Sequence, residues 1–123
     1  MKTVMIVDDA STVRMFHKML VSSPVRIIEE AENGVEALEK AIGTSVDLFL
    51  VDVNMPKMDG YTLVKEIRHS TTFQSTPIIM ISTEEADHDS ERAYAAGANY
   101  YLVKPVRLDT LHAYADCLTG GAQ

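Results

Sequence analysis

Residues 48–60 read "LFLVDVNMPKMDG", a run of apolar strand formers that ends in Asp52 and passes into a segment carrying Asn54, Pro56, Asp59 and Gly60. Asp, Asn, Pro and Gly are ordinary turn residues, so a strand that merely stops here would look the same. A site, unlike a turn, would be echoed at the ends of other strands. Working outward, "DLFLV" (47–51) is one of five short apolar runs, with "TVMIV" (3–7), "VRII" (25–28), "PIIMI" (77–81) and "NYYLV" (99–103), and longer helical patterns separate them. That βαβ rhythm predicts an α/β fold built on a parallel sheet. Four of the runs are nearly continuous rather than alternating, as strands covered by helices on both faces require. The second, interrupted by Arg26 and running into Glu29 and Glu30, suits a sheet edge.

Helices are predicted over about 11–21, 34–42, 60–69, 85–96 and 107–118. Val13, Phe16, His17 and Leu20 are expected on one face of the first, and Val35, Leu38 and Ile42 on one face of the second. Gly43 and Gly97 stand where helices should stop. The sequence contains no repeat, low-complexity tract or linker, and "TGGAQ" at the end reads as a frayed tail. One domain over 1–123, without an output domain, is the expectation.

A chain of 123 residues buries about two-thirds of its unfolded surface on folding and needs no staple. Eleven Lys plus Arg against eighteen Asp plus Glu give a net charge of −7, which argues against nucleic acid or an anionic membrane as partner and for a protein or a small ion. Cys117, the only cysteine, excludes an intramolecular disulfide, points to a cytoplasmic residence and is expected to fill space on the last helix. The N-terminus is too short in apolar residues for a signal peptide, and no segment approaches the roughly 20 that a membrane span needs.

The strand ends do repeat the pattern. Asp8 and Asp9 follow the first run, Asp52 the third, Ser82 and Thr83 the fourth and Lys104 the fifth. Open α/β sheets place their ligand crevice at the carboxyl ends of strands, and with the order 2-1-3-4-5 Asp8, Asp9 and Asp52 would converge there. Taken singly each residue has a plainer explanation: Asp8 and Asp9 as a helix cap, Ser82 with Glu85 as a capping box, Lys104 before Pro105 as a solvated turn lysine. Capping, however, does not call for a lysine at the fifth strand. Three crowded carboxylates repel one another unless cations are present; Lys104 supplies one charge and a divalent ion two. Oxygen ligands of this kind suit Mg²⁺, and a carboxylate facing that ion is equipped to attack phosphorus.

These residues resemble the receiver domains of bacterial response regulators, in particular the stand-alone, CheY-like kind. The likeness spans the chain: "VDDAST" (7–12), "AENGVEAL" (31–38), "VDVNMPKMDG" (51–60), "PIIMIST" (77–83) and "AGANYYLVKP" (96–105). It implies a flavodoxin-like, doubly wound (βα)5 sandwich whose five parallel strands run 2-1-3-4-5, an order carried over from that class rather than read from these residues. It also implies a role for each site residue. Asp52 is the phosphoacceptor. Asp9 is a direct Mg²⁺ ligand, Asp8 holds the ion largely through water, and Asn54 ligates it by its backbone carbonyl. Ser82 shifts toward the phosphoryl group, Lys104 pairs with that group, and Tyr101 is the aromatic switch. Asn54 and Glu84 match positions that tune dephosphorylation, with a phosphoryl lifetime of seconds to minutes expected.

The implied partners are a sensor histidine kinase as phosphoryl donor and a target protein bound through the fourth helix, fifth strand and fifth helix, in chemotaxis-type signalling. Such a protein is a signalling phosphoacceptor with intrinsic self-phosphorylation and autodephosphorylation rather than an enzyme, and is a monomer or a phosphorylation-dependent dimer. Val106, where many relatives carry phenylalanine, and Tyr100, where a smaller residue is common, depart from the pattern on or near the expected output face. His17, His69, His88 and His112 are scattered, and His17 is expected in the core rather than as a phosphoryl carrier. Two other readings stay open. A haloacid-dehalogenase-type phosphatase would place a second acid two residues after the nucleophile, where this chain has Asn54. A phosphorylation-independent interaction module would be expected to lose an acid or the lysine.

Overall fold

A computed structural model of the protein describes residues 1–83 and 87–119, the side chains of 87 and 88 excepted. Glu84 and Glu85, with the roles suggested for them, lie outside the described residues, as do the side chain of His88 and the tail. The elements run β1 (Lys2–Val7), α1 (Ser11–Val21), β2 (Arg26–Ala31), α2 (Gly34–Ile42), β3 (Leu48–Asp52), α3 (Gly60–His69), β4 (Ile78–Ser82), α4 (Asp87–Ala96), β5 (Tyr100–Val103) and α5 (Leu108–Thr119). All five strands are parallel in the order β2-β1-β3-β4-β5. The expected fold class and order are therefore both observed.

The continuous apolar runs divide by parity between two layers, because successive strand residues point to opposite faces. Met5, Val7, Phe49, Val51, Ile78 and Met80 pack with residues of α2, α3 and α4, whereas Val4, Ile6, Leu48, Leu50, Ile79 and Ile81 pack with α1 and α5. The edge position of β2 also holds. It runs three residues further than the apolar run suggested, because its ladder to β1 continues to the pair Val7↔Ala31, and Glu30 finds Arg14 Nε at 3.1 Å.

Two helix faces differ from expectation. On α2 the buried stripe is Gly34, Ala37 and Ala41; of the expected face Leu38 packs partly buried against the core, while Val35 is exposed and Ile42 is 87% exposed. Both triplets have helical spacing, so periodicity could not choose between them. The rotation is set by close approach: a Cβ on Gly34 would lie 2.8 Å from Met58 Cβ, Cγ and Sδ. On α1, His17, Leu20 and Val21 are buried, but Phe16 is 43% exposed. Gly97 ends α4 at φ +119, a left-handed position that favours glycine, whereas Gly43 stops α2 with an ordinary φ of −102.

The start of α2 is doubly capped. Asn33 Oδ1 accepts from Glu36 N at 2.9 Å, and Glu36 Oε1 accepts from Glu32 N at 3.2 Å. Asn33→Ala is expected to cost about 1 kcal/mol, seen as a lower urea midpoint at unchanged slope; an unmoved midpoint would remove the cap from the list of stabilising contacts. At the opposite end of the sheet, the Arg26 guanidinium is fully buried and meets Asp116 Oδ1 at 2.8 Å, tying β2 to α5.

Candidate functional site

Because β1 and β3 are neighbours, their carboxyl ends bring the acids together. One carboxylate oxygen from each of Asp8, Asp9 and Asp52 lies within 4.8 Å of the others; Asp8 and Asp52 are buried and Asp9 is exposed. Asp52 and Ser82 are the last residues of their strands rather than residues just beyond them, since the ladders extend to Asp52↔Ile81 and Ser82↔Val103. Ser82 is wholly buried at the sheet end, and its pairing with Glu85 as a capping box falls outside the described residues. Asp8 and Asp9 do not cap α1. Ala10 is its N-cap, and Asp8 Oδ1 accepts from Ala10 N at 2.9 Å.

Lys104, just after β5, reaches back across the sheet. Its Nζ stands 3.0 Å from Asp8 Oδ2 and 3.0 Å from Asp52 Oδ1. Arg14, from α1, donates through Nη1 to the Asp8 carbonyl at 2.7 Å and holds the β1–α1 turn. Sequence reasoning missed that anchor; its only signal is a basic residue one helical turn and a half after the acids. Asn54 is exposed on the loop after β3, and Tyr101 on β5 is half-buried against the α2–α3–α4 layer.

The electrostatics follow from crowding and burial. Burial raises the Asp52 carboxyl, the Lys104 hydrogen bond and charge oppose it, and repulsion from Asp8 and Asp9 adds to it, with a balance at about 6. Burial alone would lower the Lys104 ammonium, but its hydrogen bonds to Asp52 and Asp8 outweigh that and hold it above the ordinary lysine value. His17, 3% exposed on α1, is lowered by burial and by the Lys104 charge, against Asp8. Three carboxylates and one ammonium leave 1 − 3 = −2 at full ionisation. An all-oxygen donor set with that deficit fits a hard divalent cation such as Mg²⁺.

The loop from Val53 to Asp59 is pinned under the acid. Gly60 N donates to Val53 O at 2.8 Å, and a Cβ on Gly60 would lie 2.3 Å from the Asp52 carbonyl oxygen. Two surface expectations change. Val106 is buried in the α1–α5 layer and is a core residue rather than part of an output face. Cys117 is exposed rather than filling the core. Tyr100 lies at the surface with its ring 4.6 Å from that of Tyr114, and the two help line a shallow apolar cavity of about 280 Å³ beside Cys117.

A buried acid at the end of the central strand, two more acids beside it and a lysine bridging them define a receiver-type site. The chain belongs to the response regulator receiver domains, whose family pattern matches residues 4–116. It is 42% identical over 103 residues to chemotaxis protein CheY1 of Helicobacter pylori, covering 82% of this chain and 83% of that one. It is 32% identical over 108 residues to protein PilG of Pseudomonas aeruginosa, covering 88% of this chain and 80% of that one. The solved structure of chemotaxis response regulator CheY4 of Vibrio cholerae superposes with a TM-score of 0.88 at 34% identity, covering 96% of this chain and 98% of that one. Among the described residues no helix is long and apolar enough to cross a membrane.

Proposed function

We propose that the protein is a single-domain response regulator that accepts a phosphoryl group on Asp52 from a sensor histidine kinase and passes the signal to a target protein. The observation that carries this is Lys104 Nζ held 3.0 Å from both Asp8 and Asp52 within a cluster of three carboxylates. Asp52 is the nucleophile, its oxygen facing out of the carboxyl end of β3. Lys104 is placed to transfer its contact from Asp52 to the incoming phosphoryl oxygens, where charge develops. Asp8, Asp9, Asp52 and the Asn54 backbone carbonyl would hold Mg²⁺, which when bound neutralises charge on the phosphoryl group.

Ser82 sits two strands from Asp8 at the same sheet end and serves as the hydroxyl that meets the phosphoryl group. Tyr101, on the adjoining strand, carries the change to the face made by α4, β5 and α5, where Tyr100 and Tyr114 offer aromatic contact area to a protein target. Asn54 and Glu84 set the rate at which the phosphoryl group is lost to water. Chemotaxis-type signalling is the setting its CheY relatives suggest.

Intact mass after incubation with acetyl phosphate tests the reading. A single adduct that requires Mg²⁺ and is absent in Asp52→Asn is expected, decaying over seconds to minutes once donor is removed. Folded wild-type protein that takes up no phosphoryl group would instead support a module that signals without phosphorylation, and a half-life of many hours would end the role given to Asn54 and Glu84.

A further inference from the structure

A cavity of about 310 Å³ between α1 and the segment after β5 shares a wall with the acidic crevice; it is lined by Val13, Phe16, His17, Thr83, Lys104 and Pro105. Lys104 is the shared wall, since its ammonium touches Asp52 Oδ1 at 3.0 Å while its side chain borders the cavity. His17 is 3% exposed, and among the described residues nothing hydrogen-bonds its ring; its neighbour Phe16 lies 5.9 Å away, ring to ring, in a tilted arrangement. Burial and Lys104 keep the imidazole neutral, so one ring nitrogen remains an acceptor.

We propose that this cavity receives the leaving group of the phosphoryl donor, the imidazole ring of a phosphohistidine, and that His17 accepts a hydrogen bond from that ring. The inference rests on Asp52 being the phosphoacceptor. In phosphoryl transfer the attacking and leaving atoms lie roughly in line through phosphorus, so a donor seated against Asp52 and Lys104 must set its leaving group against a neighbouring wall. Val13, Phe16 and Pro105 give that wall an apolar surface suited to ring faces.

The step balances. An Asp52 carboxylate oxygen forms the O–P bond as the P–N bond breaks, and the electron pair stays on the ring nitrogen. The ring, phosphorylated on one nitrogen and protonated on the other, departs as neutral imidazole and keeps the N–H that His17 holds. By favouring the protonated ring, His17 favours the form that leaves without becoming an anion.

Two donors separate this role from packing: monophosphoimidazole, whose leaving group is the ring, and acetyl phosphate, whose leaving group is a small open-chain carboxylate. Initial labelling rates of the full chain with Mg²⁺ are measured by intact mass, and the readout is the ratio of the first rate to the second. The ratio is expected to fall about tenfold in His17→Phe, which keeps a ring but no nitrogen, the loss of one hydrogen bond to a charged group. It should recover largely in His17→Gln, which restores an acceptor. If His17→Phe does not fold, Val13→Phe fills the cavity instead and should lower the ratio likewise. An unchanged ratio in a folded variant overturns the proposal, as does a fall that His17→Gln does not repair. Failure of both donors to label the wild type would overturn the Asp52 assignment itself, a distinguishable result.

Discussion

Gly60→Ala is expected to lower the melting temperature by about 10–15 °C, corresponding to about 3 kcal/mol for a domain of this size, and to slow labelling of Asp52 by about a hundredfold. The added methyl would stand 2.3 Å from the Asp52 carbonyl oxygen and 2.9 Å from Val53 Cα. Both are backbone atoms, which cannot rotate away as a side chain can. The third neighbour, Met80 Cε at 2.9 Å, is the flexible end of a side chain and could yield. Relief must come from moving either α3 or the end of β3. The first breaks the 2.8 Å hydrogen bond from Gly60 N to Val53 O; the second carries Asp52 away from Lys104. Thermal melts and acetyl phosphate labelling check the two parts separately, and a melting temperature within a few degrees of the wild type would show that the loop can shift at little cost.

The second large effect runs the other way. Asp52→Asn is expected to stabilise the metal-free protein at pH 7 by about 2–3 kcal/mol, from a displacement of roughly two pH units at about 1.4 kcal/mol each. The Asp52 carboxyl is raised from 3.8 to about 6 on folding. Between those values the folded protein binds more protons than the unfolded chain, so the contribution of this group is fully present below about 4 and is lost as pH rises through about 6. Urea unfolding in EDTA at a series of pH values should show the variant and wild type equally stable near pH 4 and diverging up to neutrality. Mg²⁺ should then stabilise the wild type more than the variant. A variant no more stable than wild type at pH 7, or a gain independent of pH, would contradict the balance of burial and repulsion assigned to Asp52. The proposed phosphoacceptor thus costs stability in the metal-free protein, a trade-off that functional groups often carry.

Much of this was legible in the residues. The five apolar runs, the edge character of β2, and the acids, hydroxyl and lysine at strand ends were visible because strand burial on both faces removes alternation and because ligand crevices form at carboxyl ends. The convergence of Asp8, Asp9 and Asp52 needed the strand order, which the resemblance supplied and the structure bears out. Asp8 and Ser82 carry turn and cap chemistry in any isolated reading, and only their place at one sheet end separates that reading from a site.

Other features could not be read from one dimension. Val35 and Ile42 have the same helical spacing as Gly34 and Ala41, and the choice of buried stripe depends on Met58 lying against Gly34. Val106 passes for a surface position until α1 and α5 close over it. His17 looks like a core residue on its own helix, and it is buried, yet it lines one cavity with Lys104, which lies 87 residues later and comes beside it only through folding. The sequence by itself therefore determined the elements, the edge strand and the chemical inventory of the crevice, since these depend on local propensity and on periodicity along the chain. Only the tertiary structure decided which helix faces are buried, how far the Asp52 carboxyl is raised and which cavity adjoins it, because rotation about a helix axis, desolvation and charge repulsion depend on neighbours brought close by folding.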